Sequence, residues 1–178
     1  MSIDDSRKED LLHKAALREE VRGFLVREAE LLDSQELHEW YDLTTEDIDY
    51  RMPVRVTRER GAEQSEFSDR AHIFKEDNAS IDARVRRFDT DYAWSENPPT
   101  RMRRFVSNVR FEEVGEEELT VKDNLLMYRA KEDETDPDII CGERTNVLRR
   151  TDDGLKLAER VVNLDQTVLN TRPLSIFL

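Results

Sequence analysis

The hydrophobic period of the chain changes from helical to alternating, and that change restricts the fold more than any other feature. From about Asp10 to Leu32, the residues Leu17, Val21, Phe24, Leu25, Leu31 and Leu32 recur at helical spacing among charged ones, which predicts an amphipathic helix. From Arg101 to Leu164 four runs of strand character follow each other, separated by Gly115, by the acidic loop Lys131 to Asp136 and by Asp152-Asp153-Gly154. Four such runs joined by turn residues predict an antiparallel meander. In the first, Phe105, Val109 and Phe111 share a face; in the second, Leu119, Val121, Leu125 and Met127 do, because successive side chains on a strand alternate.

The residues between these regions fill in the order of elements. Asp33-Ser34 offers an N-cap for a short second helix over Gln35 to Tyr41, which makes a helical lid with the first. Ile48, Tyr50, Met52, Val54 and Val56 then alternate with polar residues as the first strand. Gly61 to Ser68 is polar and reads as a loop, followed by a third helix capped by Ser80, with Ile81, Val85 and Phe88 opposite Arg84, Arg86 and Arg87. This helix is expected to stop near Trp94, because Asn97-Pro98-Pro99 forbids its continuation. The apolar end Leu174 to Leu178 is expected to be packed. Together these elements predict a single α+β domain over residues 1–178. Helices pack on one face of a curved, mostly antiparallel sheet and close a cone with a pocket.

Composition removes several functional classes. The 178 residues include 41 Asp plus Glu against 28 Lys plus Arg, a net charge of −13 that repels phosphate backbones and anionic lipid. No nucleic-acid or membrane partner is expected. No apolar run approaches the roughly 20 residues of a membrane span, and the acidic start Met1 to Ser6 lacks the pattern of a secretory signal; the reading is cytoplasmic. One cysteine, Cys141, cannot close an internal disulfide or supply a multi-thiolate metal site. The basic residues are mostly Arg, which suits bidentate pairing with carboxylates.

The residues that could carry chemistry are few. His13, His38 and His72 stand far apart, two on predicted helices and one in a loop, without ligand spacing. The five glycines are isolated, so no phosphate-cradling loop exists. Cys141 sits in a strand, where a small inert thiol is the ordinary case. Asp47, Asp49 and Asp123, with Tyr50, could run acid–base chemistry in a cone pocket, which would make the chain a free-standing isomerase or dehydratase. A homo-oligomeric binding module is a further alternative.

One stretch stands above this background: the run from Arg84-Val85-Arg86-Arg87-Phe88 through Ala93-Trp94 and Asn97-Pro98-Pro99 to Arg101-Met102-Arg103-Arg104 and Ser107-Asn108-Val109-Arg110. It resembles the signature of the small (beta) subunit of aromatic-ring-hydroxylating dioxygenases. Further anchors occur in order at Trp40-Tyr41, Tyr50, Met52-Pro53, Gly142-Glu143-Arg144, Leu164-Asp165-Gln166 and Ser175-Ile176-Phe177-Leu178. Asp91 and Thr100 stand where the pattern has Gly and Ser.

The resemblance implies a cystatin-like or ketosteroid-isomerase-like cone that is a non-catalytic structural subunit. Its partner would be a larger alpha subunit, usually three of each, with the beta subunits forming a trimer among themselves and with electrons delivered by a ferredoxin and a reductase. It implies no cofactor in this chain. The Rieske [2Fe-2S] cluster and the mononuclear non-haem iron would belong to the alpha subunit. Arg84, Arg86, Arg87, Arg101, Arg103 and Arg104 are then expected at subunit contacts, with Trp94, Phe177 and Leu178 as apolar anchors.

Overall fold

The computed structural model describes residues 3–59, 64–89, 100–130, 136–167 and 177–178. The chain opens with helix α1 (Ile3–Asp33), followed by the single-turn α2 (Leu37–Tyr41), strands β1 (Thr44–Arg55) and β2 (Phe67–Asp77), and helix α3 (Asn78–Phe88). Four long strands follow: β3 (Arg101–Val114), β4 (Glu118–Ala130), β5 (Asp138–Thr151) and β6 (Gly154–Leu164). The six strands form one sheet in the order β2-β1-β6-β5-β4-β3. The predicted meander β3 to β6 is antiparallel throughout. It joins the β1–β2 hairpin through the one parallel pairing, β1 with β6.

The predicted helical stripe is the buried one. Leu17, Val21, Phe24, Leu25, Leu31 and Leu32 of α1 all pack into the core, against Met102, Leu119, Val121, Leu125, Met127, Leu157 and Val162 of the sheet. The helix begins earlier than the apolar stripe indicates, and residues 5–16 are exposed. A helix can extend past the point where its burial begins when its residues have good intrinsic propensity, as the Lys, Glu, Leu and Ala of this stretch do.

Five expectations are corrected. Asp33 does not cap α2; it is the last residue of α1, and its carboxylate instead binds Arg104. The cap position before α2 is Glu36, which makes no side-chain capping bond. The N-cap of α3 is Asp77, and Ser80, at the third helical position, completes a reciprocal box with it: the Asp77 carboxylate accepts from the Ser80 amide at 2.9 Å and the Ser80 hydroxyl accepts from the Asp77 amide at 2.8 Å. That helix ends at Phe88, and Trp94 lies outside the described residues.

The second strand, β2, was not legible. Its sequence Phe67 to Asp77 is mostly polar and its burial never exceeds intermediate, because it is an edge strand with one ladder and little core beneath it. His72, expected in a loop, belongs to this strand. The fifth correction concerns β3, where Phe105, Val109 and Phe111 do not share a face. The register slips between Ser107 and Arg110, and Asn108 has a φ of 52°. A bulge of this kind exchanges the two faces of a strand, so Phe105 is exposed while Phe111 packs against the core.

Among the described glycines, Gly142 has the tightest surroundings. A Cβ there would lie 2.5 Å from the Asn163 carbonyl oxygen, a main-chain atom that cannot swing away. Gly142→Ala is expected to cost about 1–3 kcal/mol, lowering Tm by about 2–4 °C per kcal/mol in thermal unfolding followed by circular dichroism. Gly23→Ala, on α1 with open space around it, is expected to raise Tm.

Candidate functional site

In the interior of the cone, where a ligand pocket was anticipated, stands a cluster of paired charges. Glu28 sits on the buried stripe of α1, one helical step from Leu25, Leu31 and Leu32, and is completely enclosed. Arg160 of β6 meets it with a fork, donating from Nη1 to Oε1 at 2.5 Å and from Nη2 to Oε2 at 2.8 Å. The Trp40 indole donates to the same carboxylate at 3.2 Å, and Arg144 of β5 approaches it to 3.6 Å. Arg144 also donates through Nε to Asp123 of β4 at 2.8 Å. Asn146 closes the circuit, giving one amide hydrogen to Asp123 at 2.8 Å while its oxygen accepts from Arg160 Nε at 2.7 Å.

Alternation explains how the strands deliver these groups. Asp123 lies between Val121 and Leu125, and Arg160 between Ala158 and Val162, all buried; the inward phase of each strand places the charged residue inside. Inside, Glu28 and Asp123 balance Arg144 and Arg160, which is the condition under which buried charge is tolerated.

Phe177 and Leu178 fill the remaining space. The Phe177 ring stacks on Trp40 at 4.2 Å and meets Tyr50 edge-on at 5.9 Å. Its carbonyl accepts from Arg104 Nη2 at 2.5 Å. Tyr50 donates its hydroxyl to the Leu178 main-chain oxygen at 2.8 Å and accepts from the Leu178 amide at 2.9 Å. Arg104 is anchored in turn by Asp33, through its side chain at 2.7 Å and its amide at 3.0 Å.

The electrostatics of the cluster are those of a locked core. Burial pushes the Glu28 carboxyl up, but the charges of Arg160 and Arg144 and the bonds from Arg160 and Trp40 outweigh it and hold the group below its ordinary range. Burial works against the Arg160 guanidinium as well, and Glu28 reverses it, so its pKa is raised. Burial raises the Tyr50 hydroxyl. None of these three shifts moves a group toward neutrality, where a general acid or base works best.

The carboxylates singled out by sequence are dispersed. Asp123 is in the cluster just described. Asp47 is at the exposed sheet rim, gripped by Arg149 at 2.7 and 2.9 Å; chiefly through those bonds its pKa is lowered to about 2. Asp49 pairs with Arg51 at 3.2 Å. An open groove of about 690 Å³ runs past Thr44, Asp47, Arg149, Asp153 and Lys156, outside the cone. Cys141 is half-buried on β5, where burial and then Asp165 push its thiol up. His38 is bound to Asp89 at 2.9 Å. Among the described residues no group of three His, Cys, Asp or Glu is placed to hold a metal, and no helix is long and apolar enough to cross a membrane.

The residues expected at contacts divide by location. Arg104, Phe177 and Leu178 are interior. Arg84 is mostly buried, bound to Glu76 and lying over the rings of Phe74 and Phe177. Arg86 pairs with Asp82 within α3, while Arg87, Arg101 and Arg103 are exposed. Glu28, Arg144 and Arg160 were missed by sequence reading, although each stands at a core phase of its element.

A cone of helices against a curved sheet is the cystatin-like class. An NTF2-like protein with a cystatin-like fold superimposes at a TM-score of 0.60, with 20% identity and 94% of each chain covered. A narrower likeness follows. Residues 27–171 match the family model described as ring hydroxylating beta subunit. Over 170 residues the chain is 39% identical to the beta subunit of biphenyl 2,3-dioxygenase from Rhodococcus jostii, covering 91% of this chain and 89% of that one. A naphthalene 1,2-dioxygenase structure with indole bound in its active site matches at a TM-score of 0.81 and 26% identity, over 100% of this chain and 95% of that chain. This chain belongs to the beta-subunit family of ring-hydroxylating dioxygenases.

Linkage fixes the sign of the acid response. The folded pKa of Glu28 lies below its ordinary value of 4.5, so its contribution is complete above that value and drains away as pH falls through the lower folded one. Glu28→Gln is expected to cost about 3–5 kcal/mol at neutral pH, because it strands buried guanidinium groups. Urea unfolding across pH is expected to show a shallower loss of stability for this variant than for the wild type below about pH 4.5.

Proposed function

We infer that the chain is the structural small subunit of an oxygenase that adds both atoms of dioxygen to an arene, giving a cis-dihydrodiol at the expense of NAD(P)H. Three copies would form a core that holds three catalytic alpha subunits. The metal centres, a Rieske cluster and a mononuclear iron, belong to those alpha subunits in this reading, and a separate ferredoxin and reductase supply the electrons. The supporting observation is the interior of the cone, where Glu28, Asp123, Arg144 and Arg160 neutralise each other and Phe177 and Leu178 occupy the centre. Side chains so engaged serve packing, and an oxygenase subunit of this kind needs shape more than reactivity. The relatives' names concern biphenyl, benzene, chlorobenzene and naphthalene, which makes uncharged mono- and bicyclic arenes the first substrates to try.

The competing isomerase or dehydratase reading meets two obstacles. Asp47 is tied to Arg149 at an exposed rim, and Asp123 is enclosed between Arg144 and Asn146. Coexpression with a ring-hydroxylating dioxygenase large subunit from the same organism and affinity purification through this chain is expected to yield a brown complex with equal amounts of both subunits. A colourless preparation of this chain without the larger protein would contradict the reading. In the assembled enzyme, Asp47→Asn and Asp49→Asn are each expected to leave arene turnover within about twofold.

A further inference from the structure

Away from the neutralised centre of the cone, two buried guanidinium groups stand with too little negative charge between them. Among the described residues, the buried side-chain atoms without a hydrogen-bond partner are four guanidinium nitrogens: Arg51 Nε, Arg104 Nε, Arg129 Nη1 and Arg144 Nη2. Two of these have compensating charge close by. Arg51 Nε lies 3.2 Å from the Asp49 carboxylate, and Arg144 belongs to the balanced cluster of Glu28, Asp123 and Arg160. The other two, on Arg104 and Arg129, are neighbours. Met102 and Arg104 are buried on β3, Met127 and Arg129 on β4, and the ladder pairs Met102 with Arg129 and Arg104 with Met127. The arginines thus occupy one diagonal of a four-residue box, about 7–8 Å apart and within reach of long side chains.

Arg104 is 6% exposed and Arg129 5%. Asp33 accepts from Nη1 of Arg104 at 2.7 Å and the Phe177 carbonyl accepts from Nη2 at 2.5 Å, so Nε is the donor left over. Arg129 has the Asp138 carboxylate 4.0 Å from its Nη1, beyond hydrogen-bond reach. One hydrogen-bonded carboxylate therefore serves two buried cations among the described residues. Burial lowers the Arg104 pKa, and Asp33 does not make up the loss. An uncompensated charge is the costliest group an interior can hold. A water molecule can accept from an N–H group but leaves the charge uncompensated, whereas an anion answers both.

We propose that Arg104 and Arg129 form a buried site for a small monovalent anion, held between Arg104 Nε and Arg129 Nη1. The other two corners of the box are Met102 and Met127, both buried, which gives the ligand thioether and methylene groups beside it. Such a lining suits a weakly hydrated halide, chloride or bromide, better than a phosphate, whose water shell it cannot replace. The site ties Asp33 at the end of α1 to β3 and β4 and, through Arg104, to Phe177. An anion bound there adds to folding stability by mass action, in the isolated chain as in any complex that contains it.

The test uses bromide, whose anomalous scattering locates it in crystals of the full-length chain grown with sodium bromide. The expected result is a bromide peak between Arg104 Nε and Arg129 Nη1 in the wild type and none in Arg129→Met. In solution, chloride replaces gluconate at constant ionic strength, so that screening stays fixed. This exchange is expected to raise the wild-type Tm by about 3–5 °C for each tenfold increase in chloride above its dissociation constant, and to leave the Tm of Arg129→Met unchanged. Should that variant fail to fold, the bromide map and the chloride titration of the wild type decide. Water or empty space between the two arginines in the bromide crystals overturns the proposal. Bromide there without any dependence of Tm on chloride is an adventitious ion only and overturns it as well, as does a chloride dependence that Arg129→Met keeps in full.

Discussion

The fork of Arg160 on Glu28 is the interaction on which the rest of the interior depends. It fastens α1 to β6 at the centre of the cone with two bonds of 2.5 and 2.8 Å. Every neighbouring group is placed by it: Trp40 by the Glu28 carboxylate, Asn146 and through it Asp123 by the Arg160 Nε, and Leu178 by the Arg160 Nη1 at 3.1 Å. Buried ion pairs add little net stability compared with apolar side chains of similar volume, since desolvation offsets their attraction. What they impose is a heavy penalty on partial disruption, because a lone buried charge has nowhere to go. The register between helix and sheet is therefore tied to the pairing of these charges.

That constraint bears directly on function. Cones of this class host unrelated activities, and the fold alone assigns none of them. Here the volume that could hold a small molecule is occupied by guanidinium groups, carboxylates and the rings of Trp40, Tyr50 and Phe177. The chain belongs to the beta-subunit family, and in the structural role proposed above it acts through its surfaces. The sheet then has two different faces, one closed over a neutralised interior and one apolar and exposed on β3, β4 and β5.

Much of the architecture was readable because period is a strong signal where burial is one-sided. The α1 stripe and the four meander strands follow from it, as does the turn at Gly154, whose φ of 105° suits glycine. β2 escaped because an edge strand need not show an apolar alternation, and the inversion of β3 escaped because a bulge at Asn108 leaves no mark in the pattern of Phe105, Val109 and Phe111. The interior cluster was half legible. Alternation puts Asp123 on one strand face with Val121 and Leu125, and the same period puts Arg160 with Ala158 and Val162 and Glu28 on the helical stripe of Leu25 and Leu32. Charged residues at core phases are ordinarily taken as exposed, and only three-dimensional pairing shows that four of them cancel.

A double-mutant cycle between Glu28 and Arg160 tests this account most directly. Urea unfolding of the wild type, Glu28→Gln, Arg160→Met and the double variant at neutral pH gives the coupling of the two side chains. The account predicts that the double variant loses less stability than the two single losses combined, by at least about 1 kcal/mol. Losses that simply add, with each single change costing well under about 1 kcal/mol, would mean that the fork does not hold the helix to the sheet.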